Sequence, residues 1–262
     1  MVDGTRVIGP VEAALRARRD SGGKCLVVYV TGGLGADWLE TARAVAAAGA
    51  DVIEIGVPFS DPVMDGPTIQ AANDVALDGG ATPLGILDAL REGDVGVPLA
   101  VMTYYNIAYR MGLERFAESL MAAGVSGCIL PDLPLEEAGP WLDVAAVAGV
   151  EPILLAAPTA PEERLPRICE HPGVCVRGWP FGSDRRRSEL AQCRGDCHPF
   201  EAGHRSTSTG RRGGWDTGTG PSRLPGTGTA WWSVQRSSSG WWISGPEGVA
   251  ELVAEFRVAL DA

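Results

Sequence analysis

Two carboxylates, Glu54 and Asp65, stand in one stretch that runs from Asp51 to Gln70 and reads D-V-I-E-I-G-V-P-F-S-D-P-V-M-D-G-P-T-I-Q. Its first six residues, Asp51-Val52-Ile53-Glu54-Ile55-Gly56, are apolar and β-branched enough for a strand buried on both faces, with Glu54 in the middle. Burial raises a carboxyl pKa toward the range where the group both gives and takes a proton, which general acid–base catalysis requires. The plainer alternative is a strand-end glutamate that points into solvent or meets an arginine. The residues after Gly56 argue against it. Pro58-Phe59-Ser60-Asp61-Pro62 is a proline-braced turn, Asp65-Gly66-Pro67 is a second, and Thr68 is placed to cap a helix that begins at Ile69. One loop therefore carries Asp65 back over the end of the strand that holds Glu54. With Glu54 in an apolar strand and Asp65 in a polar, glycine-containing loop, the two carboxylates should hold different charge states and take different roles.

The elements that must position this pair repeat along the chain. Pro10 to Asp20 has helical spacing, and Lys24 to Thr31 reads as a buried strand closed by Gly32-Gly33. Trp38 to Ala48 is an alanine-rich helix that ends at Gly49, the expected left-handed cap. Ala48-Gly49-Ala50, Ala123-Gly124-Val125 and Ala148-Gly149-Val150 each end an amphipathic helix and are followed by a short apolar run. Strands are expected at Pro98 to Met102, Gly127 to Leu130 and Pro152 to Leu155. Helices are expected at Thr68 to Leu77, Pro83 to Arg91, Gly112 to Ala123, Ala138 to Ala148 and Pro161 to Glu170. Strand alternating with helix at this pitch means a parallel sheet with helices outside it. A doubly wound open sheet fits the same pattern, but no Gly-x-Gly-x-x-Gly follows the first strand. A (β/α)8 TIM barrel over residues 1–262 is the favoured reading.

In such a barrel chemistry gathers at the carboxyl ends of the strands. Glu54 and Asp65 follow the second strand, Tyr104 and Asn106 the third, and Asp132 the fourth. Each has a structural alternative: Tyr104 or Tyr105 filling the barrel top, Asn106 capping a turn, Asp132 serving as a turn aspartate between Pro131 and Pro134. It is their convergence on one mouth that favours function.

Composition bounds the rest. The formal net charge of −11 removes any general attraction to nucleic-acid phosphates. No long apolar stretch and no basic, apolar leader is present, so a cytoplasmic protein is expected. Cys25, Cys128 and Cys169 read as reduced core thiols.

The run E-x-G-x-P-F-S-D-P-x-x-D-G-P-x-I-Q, here Glu54 through Gln70, resembles the signature of tryptophan synthase α subunits, and M-x-Y-x-N from Met102 and P-D-x-P from Pro131 fit the same family. The resemblance implies retro-aldol cleavage of indole-3-glycerol phosphate to indole and glyceraldehyde 3-phosphate. Glu54 would protonate the indole carbon and remove the hydroxyl proton. Asp65 would hold the indole N–H, with Met102, Tyr104 and Ile129 against the ring. The loop with Pro58 and Asp61 would face a β subunit in an α2β2 complex. No metal or organic cofactor is implied in this chain, and pyridoxal phosphate only in the β partner. Two rival readings use the same residues: a non-catalytic remnant that retains only the partner-binding loop, and another phosphate-sugar barrel lyase or isomerase.

From His171 to Ser244 the text changes. These 74 residues hold six Val, Leu or Ile, six of the eight tryptophans and all three histidines, with ten arginines against five acids. Such a composition promises no buried strand and reads as disordered. Codons for Val174 to Arg187, read one nucleotide later, permit F-V-Y-A-V-G-L-L-G-V-T-G. Codons for Gly228 to Arg236, read two nucleotides later, permit D-G-V-V-V-G-S-A. Both are family motifs, of the sixth strand and of the eighth strand with its phosphate-binding turn, so the span reads as shifted out of frame. As written it lacks the glycine-rich phosphate site that the last loops of such barrels supply, and an open, unclosed barrel is expected. Cys193, Cys197, His198 and His204 are metal-ligand types without a finger-like spacing. From Pro246 an amphipathic helix resumes.

Overall fold

A computed structural model of the chain describes residues 8–156, 167–168, 171, 174–177, 200–201, 229–234 and 245–261. Its strands are β1 (Cys25–Thr31), β2 (Val52–Gly56), β3 (Leu99–Met102), β4 (Val125–Ile129), β5 (Glu151–Ala156), β6 (Cys175–Arg177), β7 (Phe200–Glu201) and β8 (Thr229–Val234). Its helices are α1 (Pro10–Asp20), α2 (Trp38–Ala47), α3 (Pro67–Asp78), α4 (Pro83–Arg91), α5 (Tyr105–Met111), α6 (Leu113–Ala122), α7 (Gly139–Ala148) and α8 (Gly245–Asp261). The strands form one parallel sheet in the order β7-β6-β5-β4-β3-β2-β1-β8. β7 and β8, at the two ends of that order, lie against each other. This is the parallel βα barrel order that the alternation of strand and helix predicts.

Through β5 the expected elements are found within a few residues of their predicted bounds. The three Ala-Gly repeats are helix ends, with Gly49, Gly124 and Gly149 at φ of +107°, +71° and +77°, a region open to glycine at little steric cost. Thr68 does not cap α3. Gly66 holds the cap position and Pro67 the first helical turn, where a missing N–H costs nothing. α5 was not expected. Most of the helix predicted at Pro161 to Glu170 lies outside the described residues.

Within 171–244, where the composition promised no buried strand, three short strands are described. β6 pairs with β5, β7 with β6, and β8 with β1 from Cys25↔Thr229 to Val30↔Val234. A parallel ladder asks for extended backbone, not for valine or leucine, and Thr229-Ala230-Trp231-Trp232-Ser233-Val234 is rich in residues that favour it. Counting only Val, Leu and Ile hid that preference. Without these strands β1 and β5 would be open edges with unpaired N–H and C=O groups.

Two apolar cores flank the sheet. One fills the space between strands and helices and includes Leu26, Val28, Ile53, Ile55, Phe116 and Trp141. The other lies inside the barrel, where Val11 and Leu15 of α1 meet Cys25, Val27, Val52, Ala100, Ile129 and Ile153. α1 thus plugs the amino-terminal end of the barrel. Buried Glu151, at the start of β5, holds the plug by accepting from the N–H groups of Val11 (2.6 Å) and Glu12 (3.0 Å), two donors that a helix start leaves orphaned.

The last helix is clasped on the same end. Arg257 of α8 donates to Asp51 Oδ2 at 3.0 Å and to the Lys24 carbonyl at 2.6 Å, and Lys24 Nζ donates to the Leu260 carbonyl at 2.9 Å. Arg18 of α1 pairs with Asp261. Asp51 Oδ2 also accepts from Leu26 N at 2.6 Å, so one carboxylate links α8, β1 and the start of β2. Arg257 and Asp51 are largely buried, and removal of one member strands the other. Arg257→Leu is expected to destabilise the protein by about 2 kcal/mol, read as a lower urea midpoint with an unchanged slope.

Candidate active site

Glu54 is the middle residue of β2 and is 2% exposed. β2 is flanked by β1 and β3, so its backbone is held on both edges. Glu54 is in register with Tyr29 on one side and Ala100 on the other. Ala100 belongs to the interior cluster, and side chains directly opposite on neighbouring strands share a face. Glu54 therefore faces into the barrel and not toward solvent.

Asp65 reaches the same mouth from the loop after β2, through Tyr104. The Tyr104 hydroxyl donates to Asp65 Oδ2 at 3.2 Å and accepts from Met64 N at 2.9 Å. Phe59 stacks on the Tyr104 ring with centroids 4.9 Å apart and planes at 28°. Gln70 Nε2 closes the loop from the other side by donating to the Asp65 carbonyl at 2.8 Å. The loop is thus folded down onto the end of β3 rather than waving free.

The surroundings of Asp65 differ from those expected of a polar, glycine-containing loop. The residue is half-buried, and desolvation pushes its pKa up to about 6, although hydrogen bonds from Tyr104 and from Asn73 of α3 act the other way. The sequence did not single out Asn73. It is 2% exposed inside an ordinary alanine-rich helix, and nothing local distinguishes it from a surface residue. Burial likewise raises the Tyr104 phenol, against the pull of the Met64 N–H, so Tyr104 remains a neutral donor at any working pH.

The other predicted residues separate into groups. Ile129 is 2% exposed in the interior cluster, with Met102 packed partly buried against it. Met102 and Ile129 therefore lie on adjoining strands β3 and β4, on the barrel side that carries Glu54, and Tyr104 follows just beyond the end of β3. Pro58 is buried within the chain, whereas Asp61 is exposed and accepts from Ser60 Oγ at 2.7 Å. The outward face of this loop is carried instead by Asp61, Val63 and Met64, the last two being apolar residues left largely uncovered. Asp132 acts on structure: its Oδ1 accepts from Tyr105 N at 2.8 Å and so caps α5. Asn106 is exposed on the first turn of α5. Cys193, Cys197, His198 and His204 lie outside the described residues, as does most of the span where a phosphate site was sought.

Tyr29 and Gly56 complete the mouth, and neither was predicted. A Cβ on Gly56 would stand 1.8 Å from Tyr29 Oη, so the glycine of the E-x-G run is there to admit the ring, not to turn the chain.

The raised pKa of Asp65 carries a stability consequence. Its value is higher in the folded chain than in the unfolded one, so the ionised carboxylate opposes folding at neutral pH, and the opposition fades as pH falls through about 6 toward 4. Asp65→Asn keeps an acceptor for Tyr104 without the charge. Allowing for partial solvent screening, it is expected to stabilise the fold by about 1 kcal/mol at pH 8 and by nothing near pH 4, measured by thermal melts across that range.

Known proteins resemble this chain in sequence and fold. The family model described as Tryptophan synthase alpha chain matches residues 15–176. The tryptophan synthase alpha chain of Microcystis aeruginosa is 44% identical over 163 residues, which cover 60% of this chain and 61% of that protein. The chain therefore matches about three fifths of the length of such relatives, and the shared part ends where the composition changes. Among solved structures, tryptophan synthase of Mycobacterium tuberculosis aligns with a TM-score of 0.79 at 26% identity, over 98% of this chain and 100% of that one. A chain of the tryptophan synthase complex from Pyrococcus furiosus aligns with a TM-score of 0.54 at 33% identity, over 59% of this chain and 66% of that one. With more than half of its length matched by the family model and its signature acids gathered at the barrel mouth, the chain belongs to the tryptophan synthase alpha chain family.

Proposed function

We propose that this chain catalyses the α-subunit step of tryptophan biosynthesis, the retro-aldol cleavage of indole-3-glycerol phosphate to indole and glyceraldehyde 3-phosphate. The observation that carries the reading is that the inward-facing Glu54 and the loop carboxylate of Asp65 both lie close enough to the Tyr29 hydroxyl to act on it, with Tyr104, just after β3, tying down the aspartate and its loop.

The protonated Glu54 carboxyl delivers a proton to the ring carbon that bears the glycerol chain, which leaves a positive charge shared with the ring nitrogen. The Asp65 carboxylate accepts the N–H hydrogen bond and stabilises that charge in a partly desolvated site, where such interactions are strong. Glu54, now ionised, takes the proton of the adjacent hydroxyl. The carbon–carbon bond breaks, its electron pair returns to the ring to give neutral indole, and the hydroxyl carbon becomes the aldehyde. Met102, Tyr104 and Ile129 supply the apolar wall for the ring. No metal or organic cofactor enters the scheme.

The exposed loop of Asp61, Val63 and Met64 is the face offered to a pyridoxal-phosphate-bearing β subunit in an α2β2 assembly, and Pro58 shapes that loop from beneath. The likeness to the Pyrococcus furiosus complex supports such a partner. A cytoplasmic setting follows from the same biosynthetic role, and among the described residues no helix is long and apolar enough to cross a membrane.

Purified protein, assayed with and without β subunit, is expected to release indole from indole-3-glycerol phosphate, and Glu54→Gln to lower kcat by about 10²–10⁴-fold. A Glu54→Gln variant that keeps the parental rate would remove the assignment. Because Asp65 must be ionised to accept the ring N–H, kcat/KM is expected to fall as pH drops through about 6, a limb that Asp65→Asn should abolish together with most of the activity.

A further inference from the structure

Tyr29 lies on β1 as the direct ladder partner of Glu54 and is 3% exposed. Directly opposite residues point to the same face, so the phenol and the carboxylate share the barrel interior. The ring rises along the strand direction until its hydroxyl rests on Gly56, where a Cβ would come within 1.8 Å of it. Gly56 is two residues beyond Glu54 on the same inward side of β2, so the hydroxyl stands at the level through which the glutamate must reach to meet a ligand in the mouth. The Thr31 side chain is hydrogen-bonded to the phenol, and the carboxylates of Asp65 and Glu54 and the phenol of Tyr104 lie close enough to act on it through their charge. Burial, reinforced by the two carboxylates, drives its pKa far above the ordinary tyrosine value, so it stays a neutral O–H donor in the company of acceptors. Thr31 meets the hydroxyl on one side; as a donor it still needs an acceptor, and the nearby carboxylates are the groups able to provide one.

We propose that Tyr29 is a positioning residue for Glu54: its hydroxyl, braced on Gly56, donates to the glutamate carboxylate and aims it at the mouth of the barrel. The hydrogen bond restricts the rotamers of a long side chain and favours the ionised form, the one that collects the substrate hydroxyl proton. The catalytic part of this inference rests on the retro-aldol reading; the hydrogen bond itself does not.

The test compares the full-length protein with Tyr29→Phe, which keeps the ring and its packing and loses only the hydroxyl. Side-chain carboxyl titrations by ¹³C NMR, with the Glu54 signal identified by its absence in Glu54→Gln, are expected to show the Glu54 pKa rising by about one unit in Tyr29→Phe. Gly56→Ala, which must displace the ring, is expected to move it in the same direction. In the indole-release assay kcat is expected to fall about tenfold with KM nearly unchanged. A Glu54 titration that stays in place or moves downward in Tyr29→Phe overturns the proposal. If neither parent nor variant cleaves indole-3-glycerol phosphate, the functional reading fails, while the titrations still decide the role of Tyr29.

Discussion

The register between β1 and β2 decides which side of the sheet Glu54 faces, and the site depends on that one alignment. Strand parity has a period of two, so a slip of a single residue would turn Glu54 out among the helices and put Ile53 or Ile55 in its place. The alignment is pinned at the foot of the two strands. Asp51 N donates to the Leu26 carbonyl at 2.8 Å, and Asp51 Oδ2 accepts from Leu26 N at 2.6 Å, so both backbone groups of Leu26 are taken by one residue. Arg257 then fixes that carboxylate from α8. A clasp at the amino-terminal end of the barrel thus sets the aim of an acid at the carboxyl-terminal end, and the last helix of the chain serves the second strand.

At the mouth the loop after β2 and the end of β3 act as one body. The Tyr104 hydroxyl accepts from Met64 and donates to Asp65, and a hydroxyl used in both senses is polarised so that each bond strengthens the other. Phe59 covers the Tyr104 ring and withholds water from that relay. The consequence is an aspartate whose pKa has risen to about 6 yet which is still ionised at neutral pH, ready to accept from a ring N–H and strong because it is poorly hydrated.

Much of this was legible in the chain, and the illegible parts have definite causes. Glu54 within a doubly buried strand, the two turns after it and the glycine-ended helices are local signals, and they sit where the sequence put them. α5 escaped because its cap is not local: Asp132, from the loop after β4, satisfies its first turn. Tyr29 escaped because β1 is buried at all seven positions, so no alternation reveals which residues point inward. Gly56 read only as the end of a strand, because the sequence gives no hint of the ring that needs its missing side chain. The partial burial of Asp65 was not legible because loop composition says nothing of what the loop folds onto. The late strands were missed because apolar counting weighs burial, whereas pairing at the edges of β1 and β5 needs only extended backbone.

Glu151 shows what separates a structural buried carboxylate from a chemical one in the same barrel. Like Glu54 it lies in a strand, is nearly inaccessible, and projects inward; as at Asp65, desolvation raises its pKa. But it stands at the amino-terminal end, and its two oxygens are engaged by the first turn of α1, which moves only if the plug does. Its hydrogen bonds satisfy donors that would otherwise be buried unmet, so its charge stabilises a helix start and has no capacity left for a ligand. The partners of Asp65 are of another kind. A phenol and an amide, Tyr104 and Asn73, can shift their hydrogen bonds as the carboxyl gains or loses its proton, and backbone N–H groups cannot. Burial alone therefore marks no acid as reactive; what distinguishes Asp65 at the mouth is that its neighbours can follow a proton.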